Sequence, residues 1–581
     1  MGSRPLFGEH MRKNKAAYLF GAILLSISCL VQLIIPQLLK DFTDRLQEFR
    51  LSPQNVLTIA IWIVVIAFGA AVLRSVSRIY LYRLARLLDK QIRQRLFTRW
   101  ESLSAEYFNR QRIGDLMAHA TNDVNIIREV AMQGVFTTVE AIVLMVIAIA
   151  AMAGTVHVGL TLLVLMPLPA LTYLAYRFRT EIHQRSTKVQ EAIGQLTSRV
   201  QEFCAGIRVI KAYVQEKEEL RKFDEDNRSN LEMNRRLIQS NASFNAWSQS
   251  IVGVSYLLSV VAGGLLVMRD AITLGEFVAF NTYLTMLIPP VENLGKVINV
   301  LQRGRAADTR LRQVLDTQPA VCDDEDAVRL TGIQGRIEIR NLTFTYPDQS
   351  HPSLENINLT IPAGSSLAIV GKVGSGKTTL VNLLLRLYNP PYGTIFIDGV
   401  DIRKIRLEQL RRSVGYVPQE YFLFSTTIAE NIAFDPRGYE MEEIQEAAKI
   451  AQVHDNIIHF PQKFDTPLGE RGISLSGGQR QRVSMARALI KKPSILIFDD
   501  SLSAVDADTE ERILQGLKKV MKGRTTIITS HRLSAIRHAD QIIVLDRGRI
   551  AEQGNHHSLL KLGGIYASMY EQQTMNRVMG E

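Results

Sequence analysis

The residues best suited to chemistry form a glycine-rich run at 371–379, GKVGSGKTT. The run places Gly371, Gly376, Lys377 and Thr378 in a G-x-x-x-x-G-K-[ST] pattern, between the apolar run SSLAIV and the helix-like run TLVNLLLRLY. Glycines let successive backbone N–H groups turn toward one anion, and the N-terminus of the following helix adds partial positive charge. In this strand–loop–helix context the pattern predicts a phosphate-binding loop rather than a chance glycine-rich turn.

The side chains of this loop have distinct predicted roles. Lys377 can reach the β and γ phosphates of a nucleoside triphosphate, and the Thr378 hydroxyl can ligate Mg²⁺. Gly374, Ser375 and Thr379 complete the predicted nucleotide-binding set of the loop. The sequence therefore predicts a site for a nucleoside triphosphate with Mg²⁺.

Polar residues also follow buried-type strands later in the chain. The strand PSILIFDD ends in two carboxylates, of which Asp499 is predicted to order Mg²⁺ and Asp500 to stand where a water-activating base belongs. Gln419 follows another strand and can contact Mg²⁺ or the attacking water, and His531 follows TTIIT and can hydrogen-bond a γ-phosphate. The predicted catalytic residues are thus Asp500, His531 and Gln419, and the predicted metal ligands are Thr378, Gln419 and Asp499.

Two further features predict ligand contacts. LSGGQ at 475–479 precedes the amphipathic run RQRVSMARALI, so Ser476, Gly477 and Gly478 present a hydroxyl and backbone N–H groups at a helix N-terminus. This arrangement predicts a second anion site. Tyr346 ends the run RIEIRNLTFTY and can stack on a nucleotide base, although a single tyrosine in such a place can equally be packing.

Composition sets the limits within which these motifs act. A chain of 581 residues is too long for one core, so at least two domains are expected. Cys29, Cys204 and Cys322 show no metal-ligand spacing, and an odd, scattered set argues against a disulfide framework. The net charge of +11 is not arranged as a basic stripe with interleaved aromatics, so nucleic acid is not a predicted partner.

The N-terminal half predicts a domain in the lipid bilayer. Six apolar runs have lengths suited to crossing it, at 16–36, 55–73, 134–155, 158–176, 246–268 and 275–301. The first run is long, lacks a clear cleavage site and is followed by five others, which disfavours a cleaved signal peptide. Lys and Arg concentrate before the first run and in the long segments between runs two and three and runs four and five. The positive-inside rule therefore predicts both termini in the cytoplasm.

Several features of this half have two interpretations each. Short helices at the loop tips, near 112–124 and 206–223, can lie against a cytoplasmic domain or be ordinary solvated faces. Glu140 lies early in the third run, where a charge can be paired or snorkelling, or can contact substrate. Pro289 and Pro290 interrupt the sixth run and predict a kink, which can be structural or part of a gate.

Composition also places the domain boundaries. Residues 1–304 read as the helical membrane domain, and the polar, acidic residues 305–335 read as a linker. Residues 336–581 begin with alternating strands and read as an α/β domain.

The motifs together resemble a known family. The order Tyr346, GKVGSGKT, Gln419, LSGGQ, LIFDD, SAVD (503–506) and His531 resembles the ATP-binding domain of the ABC transporter superfamily. With the six preceding runs, nearly the whole chain resembles a half-transporter of the exporter type. The resemblance implies an all-α membrane domain of six spans, followed by a P-loop, RecA-like α/β domain with a helical subdomain.

The resemblance also assigns the loop tips. Residues 112–124 and 206–218 match the two coupling helices of the family, and TPLGERG at 466–472 resembles the exporter segment before the signature. The latter match implies a role for Glu470 in communication between the two halves.

In this family two ATP-binding domains meet head to tail. The resemblance implies that each ATP lies between the phosphate loop of one chain and Ser476, Gly477, Gly478 and Gln479 of the other, so a dimer is required. It implies ATP-driven export of small hydrophobic or amphipathic compounds, of multidrug type, across the plasma membrane. Alternatives are a homodimeric exporter of lipid or peptide and a non-pumping, ATP-gated channel or regulator.

One residue departs from the family pattern. Where the family usually has Glu after the Mg²⁺-ordering Asp, this chain has Asp500. The side chain is shorter by one methylene, which displaces the carboxylate by about 1.5 Å, and a misplacement of about 1 Å costs on the order of 100-fold in rate. The chain thus resembles the degenerate subunit of heterodimeric exporters, whose second half-transporter chain has Glu at this position. A slow homodimer is the alternative.

Overall fold

A computed structural model of the chain describes residues 5–48, 52–435, 438–469, 475–501, 507–533 and 536–579. The chain divides into two compact units. The first comprises Met1–Trp100 and Gly114–Thr317, and the second comprises Glu101–Ile113 and Gln318–Glu581. A helical unit is thus followed by a unit with both helices and strands, as the sequence predicts.

The first twelve helices include several that are much longer than a bilayer is thick. In chain order they are α1 (Leu6–Lys13), α2 (Lys15–Gln32), α3 (Ile34–Gln47), α4 (Pro53–Ser102), α5 (Ala105–Arg110), α6 (Ile113–Ala118), α7 (Val124–Glu129), α8 (Val135–Thr155), α9 (Val158–Leu165), α10 (Leu168–Ala212), α11 (Glu216–Met268) and α12 (Leu274–Asp316). Helix α5 belongs to the second unit, and the others belong wholly or almost wholly to the first.

Four segments of the described chain are long and apolar enough to cross a membrane. They are Lys15–Gln47, Pro53–Ser102, Ile113–Thr155 and Glu216–Met268, and Val158–Leu171 is a shorter apolar helix. The side chains of Val64 and Phe68 on α4 are 66% and 72% exposed, as expected of a surface that faces lipid rather than water.

The sixth predicted run lies in α12, whose charged residue Glu276 sits at the helix start. Thr273 and Glu276 form a capping box there, and Glu276 also pairs with Lys40 at 2.9 Å. Glu276, which lies within the predicted run 275–301, therefore caps the N-terminus of the helix. Pro289 and Pro290 lie inside the same helix.

The second unit contains two sheets. The strands are β1 (Ile337–Phe344), β2 (Leu354–Ile361), β3 (Ser366–Gly371), β4 (Ile395–Ile397), β5 (Val400–Asp401), β6 (Val414–Val417), β7 (Ile495–Asp499), β8 (Thr525–Thr529), β9 (Gln541–Asp546) and β10 (Arg549–Gly554). The order β2-β1-β4-β5 forms an antiparallel sheet, and the order β10-β9-β3-β8-β7-β6 forms a sheet that is parallel except for β10.

This strand order positions the site. Strands β3, β7 and β8 are neighbours and fully or almost fully buried, which explains their near-continuous apolar sequences. Because parallel strands end at the same edge of a sheet, the loops after these three strands meet there.

The remaining helices belong to the second unit. They are α13 (Lys377–Leu384), α14 (Leu407–Ser413), α15 (Ile428–Ile432), α16 (Met441–Ile450), α17 (His454–Ile458), α18 (Gly477–Ile490), α19 (Ala507–Met521), α20 (His556–Leu562) and α21 (Ile565–Met579). Helices α15, α16 and α18 lie between β6 and β7 in chain order. Helices α15 and α16 pack on α18, and the three form the helical part of the unit.

The predicted linker at 305–335 does not form a separate element. Helix α12 continues to Asp316, and the chain joins the second unit at Gln318. The fully buried guanidinium of Arg386 donates to the carbonyl of Cys322 at 3.0 Å, and a carboxylate oxygen of Asp323 accepts from the N–H of Leu407 at 2.7 Å. Asp323 and its neighbours are thus tied to the second unit, which begins again at Gln318.

Candidate nucleotide site

The predicted phosphate loop connects β3 to α13. Gly374 and Gly376 have φ angles of +81° and +102°, in the left-handed region that favours glycine. A Cβ at position 376 would lie 2.7 Å from a methyl carbon of Leu354, so the close approach of β2 also requires glycine here. The loop curls around Lys377, whose Nζ donates to the carbonyls of Gly371 and Lys372 at 2.8 and 2.9 Å.

Lys377 is 8% exposed and faces two carboxylates. Burial lowers the pKa of its ammonium group, and the charges of Asp500 and Asp499 act against that shift. A buried cation held by carbonyls and opposed to carboxylates is a suitable partner for a phosphate group.

Asp499 ends β7 beside the end of β8. One carboxylate oxygen, Oδ1, accepts a hydrogen bond from the hydroxyl of Thr529 at 2.6 Å. The other, Oδ2, is buried and accepts no hydrogen bond from the described residues. Burial raises the pKa of Asp499, while hydrogen bonding with Thr529 and Thr378 and the charge of Lys377 act against that shift.

The oxygen atoms around Asp499 can be compared with the ligands that Mg²⁺ prefers. Asp499 lines the same cavity as the Thr378 hydroxyl and the Gln419 side chain. Mg²⁺ prefers oxygen ligands and binds through one or two carboxylates together with phosphate and water. The hydroxyl, amide and carboxylate oxygens of these three residues therefore fit this ion.

Asp500 is fixed by its backbone. Its N–H group donates to Thr529, with the carbonyl oxygen at 3.0 Å and the hydroxyl at 2.9 Å, and its φ angle is +44°. Asp tolerates this left-handed conformation better than most residues. Thr529 therefore holds the carboxylate of Asp499 and the backbone of Asp500 at the end of the sheet.

These residues line a cavity of about 530 Å³ in the second unit. The structure brings the following predicted residues together there: Tyr346, Gly374, Ser375, Gly376, Lys377, Thr378, Thr379, Gln419, Asp499, Asp500 and His531. Gly371 ends β3 at the base of the loop without lining the cavity.

The cavity also has walls that the sequence interpretation missed. They are formed by Gln349, His351, Pro352, Ser353, Thr529, Arg547 and Gly548, with Val373 of the loop itself. Gly548 lies in the turn between β9 and β10, and its N–H donates to the carbonyl of Ser375 at 3.2 Å. A signal for this turn was available, because the polar run DRGR follows the buried strand QIIVLD.

Tyr346 packs against neighbouring rings and also lines the cavity. Its hydroxyl lies 3.3 Å from the hydroxyl of Thr379 at the cavity, while its ring packs edge to face against Phe344 and Tyr388. The ring centroids lie 5.1 and 5.0 Å away. The tyrosine is thus a packed residue that also forms part of the cavity wall.

The residues of the LSGGQ run at 475–479 lie outside this cavity. Ser476 caps α18, and its side chain and that of Gln479 form a capping box with each other's backbone N–H groups. Ser476 and Gly477 are exposed, and Gly478 is half-buried. In the described chain an exposed helix N-terminus therefore stands apart from the phosphate loop. Glu470 and the SAVD run at 503–506 fall outside the described residues.

A second cavity, of about 170 Å³, lies in the first unit. Arg74 of α4 and Glu140 of α8 line it and form an ion pair with a 2.5 Å separation of nitrogen and oxygen. The other lining residues are Gln32, Thr137, Ala141, Leu144, Met286, Pro289, Pro290 and Asn293. Glu140 is therefore paired, and both prolines of α12 face a cavity that mixes polar and apolar groups.

Comparison with known proteins identifies the family. The family model of the ABC transporter transmembrane region matches residues 18–291, and that of the ABC transporter matches residues 354–503. The chain belongs to the ABC transporters: it is a multi-pass membrane protein of the exporter type, whose ATPase domain is coupled to transport.

Its relatives match over almost their whole length. The chain is 37% identical to the probable multidrug resistance ABC transporter ATP-binding/permease protein YheI of Bacillus subtilis (strain 168), covering 96% of this chain and 95% of that protein. It is 36% identical to the multidrug resistance-like ATP-binding protein MdlA of Escherichia coli (strain K12), with 98% and 97% covered.

Two further matches extend the comparison. The chain is 37% identical to the ATP-dependent lipid A-core flippase of Syntrophus aciditrophicus (strain SB), with 84% and 81% covered. The structure of a bacterial Atm1-family ABC exporter with ATP bound superposes with a TM-score of 0.79 at 30% identity, covering 97% of this chain and 98% of that one. The fold predicted from the sequence is thus confirmed.

Proposed function

We propose that this chain is one half of a dimeric exporter that uses ATP to move hydrophobic or amphipathic compounds across the plasma membrane. The observation that carries the proposal is the division of the nucleotide site. Lys377, Thr378 and Asp499 line one cavity of the second unit, while Ser476 stands exposed at a helix N-terminus outside it. A second chain is needed to bring such a helix N-terminus to the nucleotide.

Mg²⁺ fits this site through Thr378, Gln419 and Asp499. When bound, the ion would neutralise negative charge on the phosphate oxygens. The chain's own groups do the rest: Lys377 holds the phosphates, Gln419 and His531 orient the reacting groups, and Tyr346 receives the base. Ser476, Gly477, Gly478 and Gln479 serve the nucleotide of the partner.

Asp500 makes this chain's own site the slower one. Its backbone is fixed by the two contacts of its N–H group with Thr529, so main-chain movement does not easily compensate for the missing methylene. A general base must lie within hydrogen-bond reach of its water. We therefore favour a heterodimer whose second half-transporter chain has Glu at this position, with a slow homodimer as the alternative.

The substrate class rests on the cavity of the first unit and on the relatives. A mixed polar and apolar lining suits compounds with a polar group on an apolar body. The names of the relatives include multidrug resistance proteins and a lipid A-core flippase. Export of multidrug type is the proposed activity, with lipid or peptide as the alternative substrate. The positive-inside pattern supports both termini in the cytoplasm.

The decisive experiment is ATP-dependent dye movement in inside-out vesicles that contain the chain and its co-purified partner. Accumulation against a gradient, lost when ATP is replaced by a non-hydrolysable analogue, is the expected result. Conductance without accumulation would instead identify a non-pumping channel or regulator. Identification of the co-purified chain distinguishes a heterodimer from a homodimer.

A further inference from the structure

A short segment of the chain packs in a different unit from the residues that flank it in sequence. Residues Glu101–Ile113 lie in the second unit, although the chain on both sides of them belongs to the first. The segment contains α5 (Ala105–Arg110), which follows directly on the long helix α4. The coupling segment predicted from the sequence, 112–124, begins only where this docked segment ends.

Two side-chain contacts tie α5 to the second unit. The amide Nδ2 of Asn109 donates to the hydroxyl of Tyr388 at 2.9 Å. The guanidinium Nε of Arg110 donates to a carboxylate oxygen of Asp348 at 2.8 Å. The Arg110 pair is exposed, so its net contribution is small. The contact with Tyr388 is half-buried and involves no charge, so salt does not screen it.

Both residues that α5 contacts, Tyr388 and Asp348, lie close to Tyr346. The Tyr388 ring lies edge to face on the Tyr346 ring, with centroids 5.0 Å apart and planes at 86°. Asp348 lies two residues after Tyr346, in a loop where the N–H of Gln349 donates to the carbonyl of Tyr346 at 2.9 Å. Segment 105–110 thus contacts the side of the cavity where Tyr346 stands.

The rings cannot move independently. Tyr388 is 9% exposed, and Phe344 completes a three-ring cluster with Tyr346 and Tyr388. Because the Tyr346 ring contacts both of the other rings directly, a change in its position is transmitted to them. A base that fixes the Tyr346 ring therefore also restricts Tyr388, and with it the hydroxyl that Asn109 binds.

We propose that Tyr388 and Asn109 form a relay through which the base of the bound nucleotide, rather than its phosphates, positions segment 105–110. Tyr388 is a positioning residue, since it acts through Tyr346. The relay rests on the proposed function, because it takes Tyr346 as the residue that receives the base. By linkage, base binding and docking of α5 favour each other to the same extent.

Hydrogen exchange tests the relay in the full chain with its dimer partner in lipid nanodiscs. Mg-ATP is compared with Mg-tripolyphosphate, which has the phosphates but no base, each at saturation. In the wild type ATP should slow amide exchange in 105–110 by about 2- to 10-fold more than tripolyphosphate, the range that one hydrogen bond supplies. Tyr388→Phe keeps the ring and should abolish the difference.

The matched control is Tyr392→Phe. This variant lacks the hydroxyl that Tyr392 donates to Asp324 at 2.7 Å, and Tyr392 does not line the cavity. It should retain the difference between ATP and tripolyphosphate. Equal protection by the two ligands in the wild type, or an unchanged difference in Tyr388→Phe, would overturn the relay.

A double-mutant cycle supplies a functional readout. Asn109→Ala and Tyr388→Phe should each lower the ratio of substrate transported to ATP hydrolysed, and the double variant should be no worse than the poorer single one. Additive losses would contradict the relay. A wild type that hydrolyses ATP without transport would refute the proposed exporter instead, while the exchange experiment would still decide the relay.

Discussion

At the scale of single residues, Asp500 has the largest consequence for the chemistry of the second unit. Its backbone N–H is held by Thr529, and its side chain is one methylene shorter than that of Glu. We predict that Asp500→Glu raises ATP hydrolysis by the purified chain, reconstituted alone in lipid, by about 10- to 100-fold. Steady-state phosphate release measures the change.

The comparison needs a matched variant. Asp500→Asn keeps the length of the side chain but removes the base, so it should not accelerate hydrolysis. If Asp500→Glu is no faster than the wild type, the length of this side chain does not limit the rate, and the degenerate-site proposal fails.

The pair of Arg74 and Glu140 leads to a prediction about stability. The Glu140 side chain is 18% exposed and the Arg74 side chain 49% exposed, so the pair lies between a surface and a buried ion pair. Arg74→Gln leaves the carboxylate without its partner and should destabilise the chain by roughly 1–3 kcal/mol, below the cost for fully buried pairs. Arg74→Gln combined with Glu140→Gln removes both charges and should recover most of that loss. Thermal unfolding in detergent measures both, and an additive loss in the double variant would exclude the pair as the cause.

At the scale of secondary-structure elements, the phosphate loop was predictable because its signal is local. The expected strand at 365–370 is β3, Ser366–Gly371, and the expected helix at 379–388 is α13, Lys377–Leu384. The helix ends earlier than its apolar pattern because Arg386 adopts a φ of +45°.

Other parts of the site depend on contacts that no local pattern contains. Thr529 contacts the Asp499 carboxylate and the Asp500 backbone only because β8 lies between β3 and β7 in the sheet. The wall at Arg547 and Gly548 requires β9 on the other side of β3. The docking of α5 and the attachment of residues 318–335 were likewise missed, since a polar, charged sequence is common to linkers and to surfaces that hydrogen-bond elsewhere.

Arg386 is the residue that holds this attachment. It is fully buried, and its guanidinium donates to the carbonyls of Cys322, Ile402, Arg403 and Ile405. Arg386→Met should leave these carbonyls without a donor and destabilise the second unit by about 3–5 kcal/mol. Thermal unfolding and limited proteolysis at 318–335 measure the effect.

The control for this variant is Arg412→Met on α14. Arg412 forms an exposed pair with Glu408 at 2.8 Å, so its loss should change stability by no more than about 0.5 kcal/mol. Equal unfolding temperatures for the two variants would show that the buried guanidinium does not hold the segment.

At the scale of the whole molecule, the separation of Ser476 from the phosphate loop means that function belongs to the dimer. In the proposed function, Lys377, Thr378 and Asp499 bind this chain's own nucleotide, and the exposed N-terminus of α18 contacts the nucleotide of the partner. In the proposed heterodimer, with Asp500 in one site and Glu in the other, the two ATP sites are unequal. Changes in the two halves of one chain should therefore affect different sites.

This inequality predicts an order of severity in the co-purified heterodimer. Ser476→Ala removes a donor from the partner's faster site and should lower total ATP turnover by about 10-fold or more, by analogy with the loss of one anion-stabilising donor. Asp500→Asn affects only the slow site and should lower it by less than about 2-fold, since that site adds little to the total. Because Ser476 also caps α18, Asn555→Ala, which removes the equivalent capping box of α20, controls for the cost of a lost cap. The reverse order of the two effects would mean that this chain's own site is the fast one.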